Sequence, residues 1–231
     1  MSNKQLKHIG IILDGNRRWA KENNLTTYKG HLRGYENMKT IARYWLSKSN
    51  GNIMTVYAFS TENWKRKQTE VNYLMKLLRK AVSEEADELN NLGIKVNILG
   101  LRKGLAPDIL KAIDRTHEIT KNNKKGIFNI CINYGGHIEI VETIKQLAKD
   151  NYNFKNLTPE KFAKHLWTKS QPYPDLIIRT SGEQRLSNFL TWQSSYSELY
   201  FPKKHWPAFT EKDLDKAINE YNNRNRRFGG N

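Results

Sequence analysis

The chain has 231 residues, enough to bury one substantial core, and reads as a single domain over 1–231. Its 39 Lys and Arg against 23 Asp and Glu leave a formal charge of +16, a field that favours phosphorylated metabolites, nucleic acid or an acidic membrane surface as partners. The single cysteine, Cys131, excludes an intramolecular disulfide and a thiolate zinc site, and no apolar run reaches the roughly 20 residues of a membrane span, so a cytoplasmic protein, at most peripheral to a membrane, is expected.

The first apolar run, HIGIIL at 8–13, has strand character and stops at Asp14-Gly15-Asn16-Arg17-Arg18-Trp19. Gly15 allows a tight turn, and a helix beginning near Asn16 would present free N–H groups to an anion, with Arg18 adding charge-assisted hydrogen bonds. Asp14 is out of place among anions unless it holds a divalent cation, Mg2+, that bridges carboxylate and phosphate oxygens. On this stretch alone a second reading stands equal: Asp14 as a turn or cap residue and the arginines as solvated charge.

A helix over about 32–48 follows, with His31 near its start as a phosphate donor or proton carrier. Next comes the strand IMTVYAF at 53–59, ending in Ser60-Thr61-Glu62-Asn63-Trp64-Lys65-Arg66. Residues 70–92 carry Val71, Leu74, Leu77, Leu78, Ala81, Val82, Ala86 and Leu89 at three- and four-residue steps, predicting one long helix closed by Gly93. Further strands are expected at IKVNIL, IFNICIN and DLIIR, and further helices at about 107–121, 137–149, 159–168 and 211–224. Cys131, inside IFNICIN, reads as a small core residue. Strands alternating with helices predict an α/β fold with a largely parallel sheet, whose ligands bind beyond the carboxyl ends of the strands. Tyr134-Gly135-Gly136-His137 and Arg179-Thr180-Ser181 through Arg185 and Ser187 lie at two more such ends, so the arginines recur where a ligand site belongs. That recurrence favours an anion site over solvated charge.

No P-loop, GxGxxG or HExxH pattern occurs, which removes support for a nucleoside triphosphate, a dinucleotide or a zinc hydrolase. The six tryptophans are embedded in apolar helices and strand ends without a nucleic-acid-binding motif, so no nucleic-acid partner is expected.

The segments HIGIILDGNRRWA with GH at 30–31, YAFSTENWKR, INYGG, IIRTSGEQRLSNFLTWQSSYSELYF followed by WP, and NRRFGG resemble the cis-prenyltransferases in order and spacing, the bacterial undecaprenyl diphosphate synthases most closely. The resemblance spans nearly the whole chain. It implies a central parallel sheet of about six strands flanked by helices around a hydrophobic tunnel, a homodimer, and Mg2+-dependent condensation of isopentenyl diphosphate onto an allylic diphosphate. It also assigns roles. Asp14 is the expected metal ligand, and Gly15, Asn16, Arg17 and Arg18, beside Trp19, surround the allylic diphosphate with His31 and Arg66. Arg179, Arg185 and Ser187 form the isopentenyl diphosphate site. Glu198 matches an acidic residue associated with metal and the dimer partner. Ser60, Asn63 and Trp64 lie in a segment that closes on substrate, and Arg227-Phe228-Gly229 resembles a terminal Arg-x-Gly that reaches across the dimer. The chemistry also needs a base for the proton lost from the isopentenyl unit, and the candidates are the diphosphate itself or Asn16 or Asn63 relaying through water. In the resemblance a small residue at Ala58 leaves the tunnel open for a long product; Phe128 and Ile132, on one layer of the sheet, read equally as narrowing that cavity or as core. Thr27, Lys67, His137 and Gln184 depart from the residues common at their positions, and none of them replaces a core catalytic position.

Overall fold

The computed structural model describes residues 6–49, 51–169 and 171–225. In chain order these residues form β1 (His8–Ile12), α1 (Asn16–Glu22), α2 (Thr27–Lys48), β2 (Asn52–Ser60), α3 (Gln68–Ser83), α4 (Ala86–Asn91) and β3 (Ile94–Leu99). There follow α5 (Pro107–Thr120), β4 (Gly126–Tyr134), α6 (Gly136–Lys149), α7 (Pro159–Ala163), β5 (Leu176–Arg179), β6 (Glu198–Tyr200) and α8 (Glu211–Asn223). The strands make one parallel sheet in the order β3-β4-β2-β1-β5-β6.

Two-residue periodicity sorts the strand side chains onto two faces. Ile9, Ile11, Met54, Val56, Phe128, Ile130, Leu176 and Ile178 bury against residues of α2, α3, α5 and α8, the larger core. Ile12, Tyr57, Cys131 and Ile177 turn the other way, onto Phe189, Leu190 and Trp167. Cys131 is fully buried, as expected of a core residue.

The periodic stretch 70–92 is not one helix. It breaks between α3 and α4 at Glu84 and Glu85. The Ser83 hydroxyl donates back to the Arg79 carbonyl at 2.8 Å, which loosens the last turn. Glu85 is drawn across to α2, where it accepts from the Tyr35 hydroxyl at 2.9 Å and pairs with Lys39 at 2.8 Å. Two other boundaries move. α2 begins at Thr27 because the Thr26 hydroxyl accepts from Lys29 N–H, and the helix expected over 159–168 is helical only to Ala163. β6 had no predicted counterpart, since three residues are too few for a period to register.

On the second face a polar chain is buried among the strands. His8 Nδ1 lies 2.7 Å from the Pro172 carbonyl and Nε2 lies 2.8 Å from Thr55 Oγ1, whose oxygen accepts from Asn129 Nδ2 at 2.9 Å. The carbonyl can only accept, so Nδ1 carries the proton of a neutral ring. Burial pushes the His8 pKa down to about 4, against weaker opposing contributions from Pro172 and Asp175. The unfolded chain therefore binds a proton between pH 6.5 and about 4 that the folded chain refuses. Stability is complete above pH 6.5 and falls as pH drops through that window, by about 3 kcal/mol. Urea unfolding at pH 7.5 and pH 5 checks this: the midpoint should fall well before most carboxylates titrate, and an unchanged midpoint would refute it.

Candidate active site

Ile12 is level with Tyr57 and with Arg179 in the sheet, so the loops after β1, β2 and β5 leave side by side. The chain runs from β1 to one side and later returns to β5 on the other, the switch point at which parallel sheets bind ligands. Gly15 takes the left-handed conformation, φ +99°, and turns the chain directly into α1.

Asp14 is locked at this turn. Its N–H donates to Thr180 Oγ1 at 3.1 Å, its carbonyl accepts from the Thr180 hydroxyl at 2.7 Å, and its carbonyl also accepts from Trp206 N–H at 2.9 Å. Arg179, nearly buried, donates to Asp14 Oδ2 from Nη2 at 2.9 Å and from Nε at 3.3 Å, while its Nη1 donates to Ser187 Oγ at 2.7 Å. Arg18 lies 3.3 Å from Asp14 Oδ1, and Gly15 N–H donates to that oxygen at 2.7 Å. Burial by itself would raise the Asp14 pKa, but the hydrogen bond and charge of Arg179, with Arg18 and the Gly15 N–H, outweigh it and hold the carboxyl below its ordinary range. Asp14 is thus an anion at neutral pH.

A cavity of about 620 Å3 opens beside this carboxylate. Asp14, Asn16, His31, Ser60, Asn63, Arg66, Arg179 and Ser187 line its polar end, and Met38, Ala58, Leu74, Leu77, Leu78 and Ala81 its apolar end. Asn16 Oδ1 is buried there without a hydrogen-bond partner, while its Nδ2 donates to the Leu13 carbonyl at 3.1 Å. A site charged at one end and greasy at the other suits an amphiphile with an anionic head.

The chain matches the family model "Putative undecaprenyl diphosphate synthase" over residues 12–229. It is 46% identical to the isoprenyl transferase of Fusobacterium nucleatum, over 97% of this chain and 96% of that one. It is 45% identical to the isoprenyl transferase of Thermotoga maritima, over 97% of both. This chain is a cis-prenyltransferase family member. Solved structures agree: lavandulyl diphosphate synthase from Lavandula x intermedia, crystallised with dimethylallyl diphosphate, superposes with a TM-score of 0.89 at 32% identity, covering 97% of this chain and 98% of that one. A probable undecaprenyl diphosphate synthase from Campylobacter jejuni gives 0.81 at 28%, covering 98% and 100%.

In this cis-prenyltransferase the second cluster centres on a residue the sequence did not single out. Glu70, in the first turn of α3, accepts from His31 Nε2 at 3.0 Å and Arg66 Nη1 at 3.0 Å, with Arg17 at 4.0 Å. Its only sequence signal was the i, i+4 spacing from Arg66. Burial lowers the His31 pKa more than Glu70 raises it, so the ring stays neutral at pH 7. The segment after β2 forms a 3₁₀ turn, Thr61–Lys65, in which Asn63 Oδ1 accepts from Ser60 N–H at 3.0 Å. Trp64 Nε1 donates to Asn133 Oδ1 at 2.8 Å, and Asn188 Oδ1 accepts from His137 N–H at 2.8 Å. Ser181, Ser187, Asn188 and Leu190, all non-glycine, have positive φ in this rim. Such backbone persists where its surroundings over-determine it.

Other expected residues stand apart from the cavity lining. Arg18 and Arg185 meet outside it on Glu183. Arg17 is exposed, and Trp19 is half-buried outside the lining. Phe128 takes the core reading: it pairs with Met54 and Val96, on the rung of Ile9, three residues below Ile12. That is about 10 Å down the strand. There it is packed core and not part of the cavity lining. Glu198 shares that lower rung through Leu176 and pairs with Arg224 at 2.7 Å, so within one chain it cannot meet Asp14 at a common ion. Arg227, Phe228 and Gly229 lie outside the described residues.

No group of three or more His, Cys, Asp or Glu able to hold a metal occurs among the described residues. Asp14 nonetheless fits Mg2+: it is an ionised hard-oxygen donor facing the cavity beside the unpartnered Asn16 oxygen, and Mg2+ commonly takes one carboxylate plus substrate phosphates.

Proposed function

We propose that this chain condenses isopentenyl diphosphate units onto an allylic diphosphate, farnesyl diphosphate for preference, to build a medium or long Z-polyprenyl diphosphate such as undecaprenyl diphosphate. The observation that carries this reading is the single cavity with Asp14 and Arg179 at one end and α3 leucines at the other. Breaking the allylic C–O bond puts negative charge on the departing diphosphate and positive charge on the allyl group. Mg2+ held by Asp14, when bound, supplies charge neutralisation for that leaving group. Arg18, Arg17, Arg66 and the α1 N–H groups would grip the allylic diphosphate. Arg179, Arg185 and Ser187 would hold isopentenyl diphosphate with its double bond against the allylic carbon, which makes attack a positioned event. Asn16, with its free oxygen, or Asn63 would pass on the proton. A homodimer, with Glu198 and the 227–229 segment serving the partner, and a cytoplasmic, membrane-peripheral enzyme complete the proposal.

Incubation with farnesyl diphosphate, labelled isopentenyl diphosphate and Mg2+ tests it. The expected result is butanol-extractable, extended label that disappears with chelator. Absence of incorporation by folded protein, with geranyl and geranylgeranyl primers also tried, would instead indicate a catalytically silent subunit of the same fold.

Ala58 faces the cavity on the same side of β2 as Met54 and Val56, so its substitution reads product length directly. Ala58→Leu is expected to shift the product distribution to shorter chains while initial incorporation continues. An unchanged distribution would remove Ala58 from the tunnel wall.

A further inference from the structure

Two helices separate the apolar half of the cavity from the outside, α2 through Tyr35 and Met38 and α3 through Leu74 and Leu78. On and beside these helices, residues 23–35 and 71–83 contain no acidic residue and carry Lys29, Arg33, Lys76, Arg79 and Lys80. Lys29, Arg33 and Lys76 are exposed; Arg79 reaches Asp108 at 3.3 Å and Lys80 reaches Glu84 at 3.7 Å.

Apolar groups sit among these cations. Tyr28 and Leu32, one turn apart on α2, are each 40% exposed. Across the seam the Tyr28 ring packs on Tyr73 of α3 with centroids 4.8 Å apart. Exposed leucine and tyrosine flanked by lysine and arginine is the composition that lies in a bilayer interface: the aromatic rings sit at headgroup level and the cations meet lipid phosphates. No helix among the described residues is long and apolar enough to cross a membrane, so contact would be from the surface.

We infer that the α2–α3 face, centred on Tyr28, Leu32 and Tyr73 and ringed by Lys29, Arg33 and Lys76, docks this protein on an anionic lipid bilayer. The purpose of such docking rests on the transferase reading, since a lipid product in the cavity lies one helix layer from this face. The binding itself does not depend on that reading.

Flotation of the full chain with vesicles tests it without substrate. The protein should float with phosphatidylcholine–phosphatidylglycerol vesicles and remain in solution with phosphatidylcholine alone, and added salt should weaken the binding. The K29E/R33E/K76E and Y28S/L32S variants should each bind about tenfold more weakly or worse. K121E/K124E, equally exposed but remote in sequence from the face, should float nearly as well as the parent. Thermal unfolding confirms that each variant is folded. The inference is overturned if the parent stays in solution with anionic vesicles, if the two face variants float unchanged, or if K121E/K124E loses as much. Loss of a dimer by Y28S/L32S with flotation retained would overturn it too, assigning the face to a second copy. Failure to incorporate isopentenyl units bears on the transferase reading alone.

Discussion

Asp14→Ala is expected to lower kcat by a hundredfold to a thousandfold, the loss typical of one preorganised charge-stabilising group. Two effects combine. The variant loses the hard-oxygen donor proposed for Mg2+, and it releases Arg179, whose guanidinium now spends two N–H groups on Asp14 Oδ2. Because Arg179 is nearly buried, alanine also leaves a charge short of its partner, which is destabilising. Asp14→Asn separates these effects in part: its one amide oxygen can still accept from Arg179, at the expense of the Gly15 N–H bond to the other oxygen, but it carries no charge. If the carboxylate acts through metal, the Asn variant should unfold above the Ala variant, yet lose most of kcat and require more Mg2+. Near-normal turnover by a folded Asp14→Ala protein would remove Asp14 from the chemistry.

The arginines of the site are shared among carboxylates. Asp14 holds Arg179 and Arg18, Glu70 holds Arg66 and approaches Arg17, and Glu183 holds Arg18 and Arg185. A diphosphate competes with these carboxylates for the same N–H groups. The site can therefore concentrate five guanidiniums in one region without the repulsion that bare cations would suffer.

Five of the six strands could be read in the sequence because β-branched runs of strand length ended in punctuating residues, and the ends that bear arginines converge as that reading expected. What escaped was set by distance in space. Glu70 shows one local partner, Arg66, whereas His31 is 39 positions away and meets it only when α2 packs beside α3. The α3–α4 break depends on Tyr35 and Lys39 from another helix. Phe128 and Glu198 were read by resemblance and by strand face, but neither reveals the rung. Sheet register places both three residues below the site.

Gly30→Ala sets two levels of this structure against each other. Gly30 lies inside α2, where alanine would favour the helix by about 1 kcal/mol. Yet a Cβ there would stand 2.3 Å from the Asn16 carbonyl oxygen and 2.9 Å from the Ala20 Cβ. The carbonyl is backbone, and the turn before it is pinned by Thr180 and Trp206 at Asp14, so α1 cannot retreat without moving the Asp14 carboxylate. Overpacking of this kind costs about 1–3 kcal/mol, which should exceed the helix gain. At roughly 2–4 °C per kcal/mol for a chain of this size, the melting temperature should fall by several degrees. Turnover should fall further still. Gly34→Ala is the informative companion, since its Cβ would meet the Asn16 side-chain oxygen at 2.1 Å rather than backbone. That side chain can rotate, although Trp206 Cδ1 at 3.2 Å must also give slightly, so the variant should lose less stability than Gly30→Ala and lose activity through Asn16. A Gly30→Ala protein that melts higher than the parent would mean that helix propensity wins and that the α1–α2 contact is free to open, leaving the turn at Asp14 held by Thr180 and Trp206 alone.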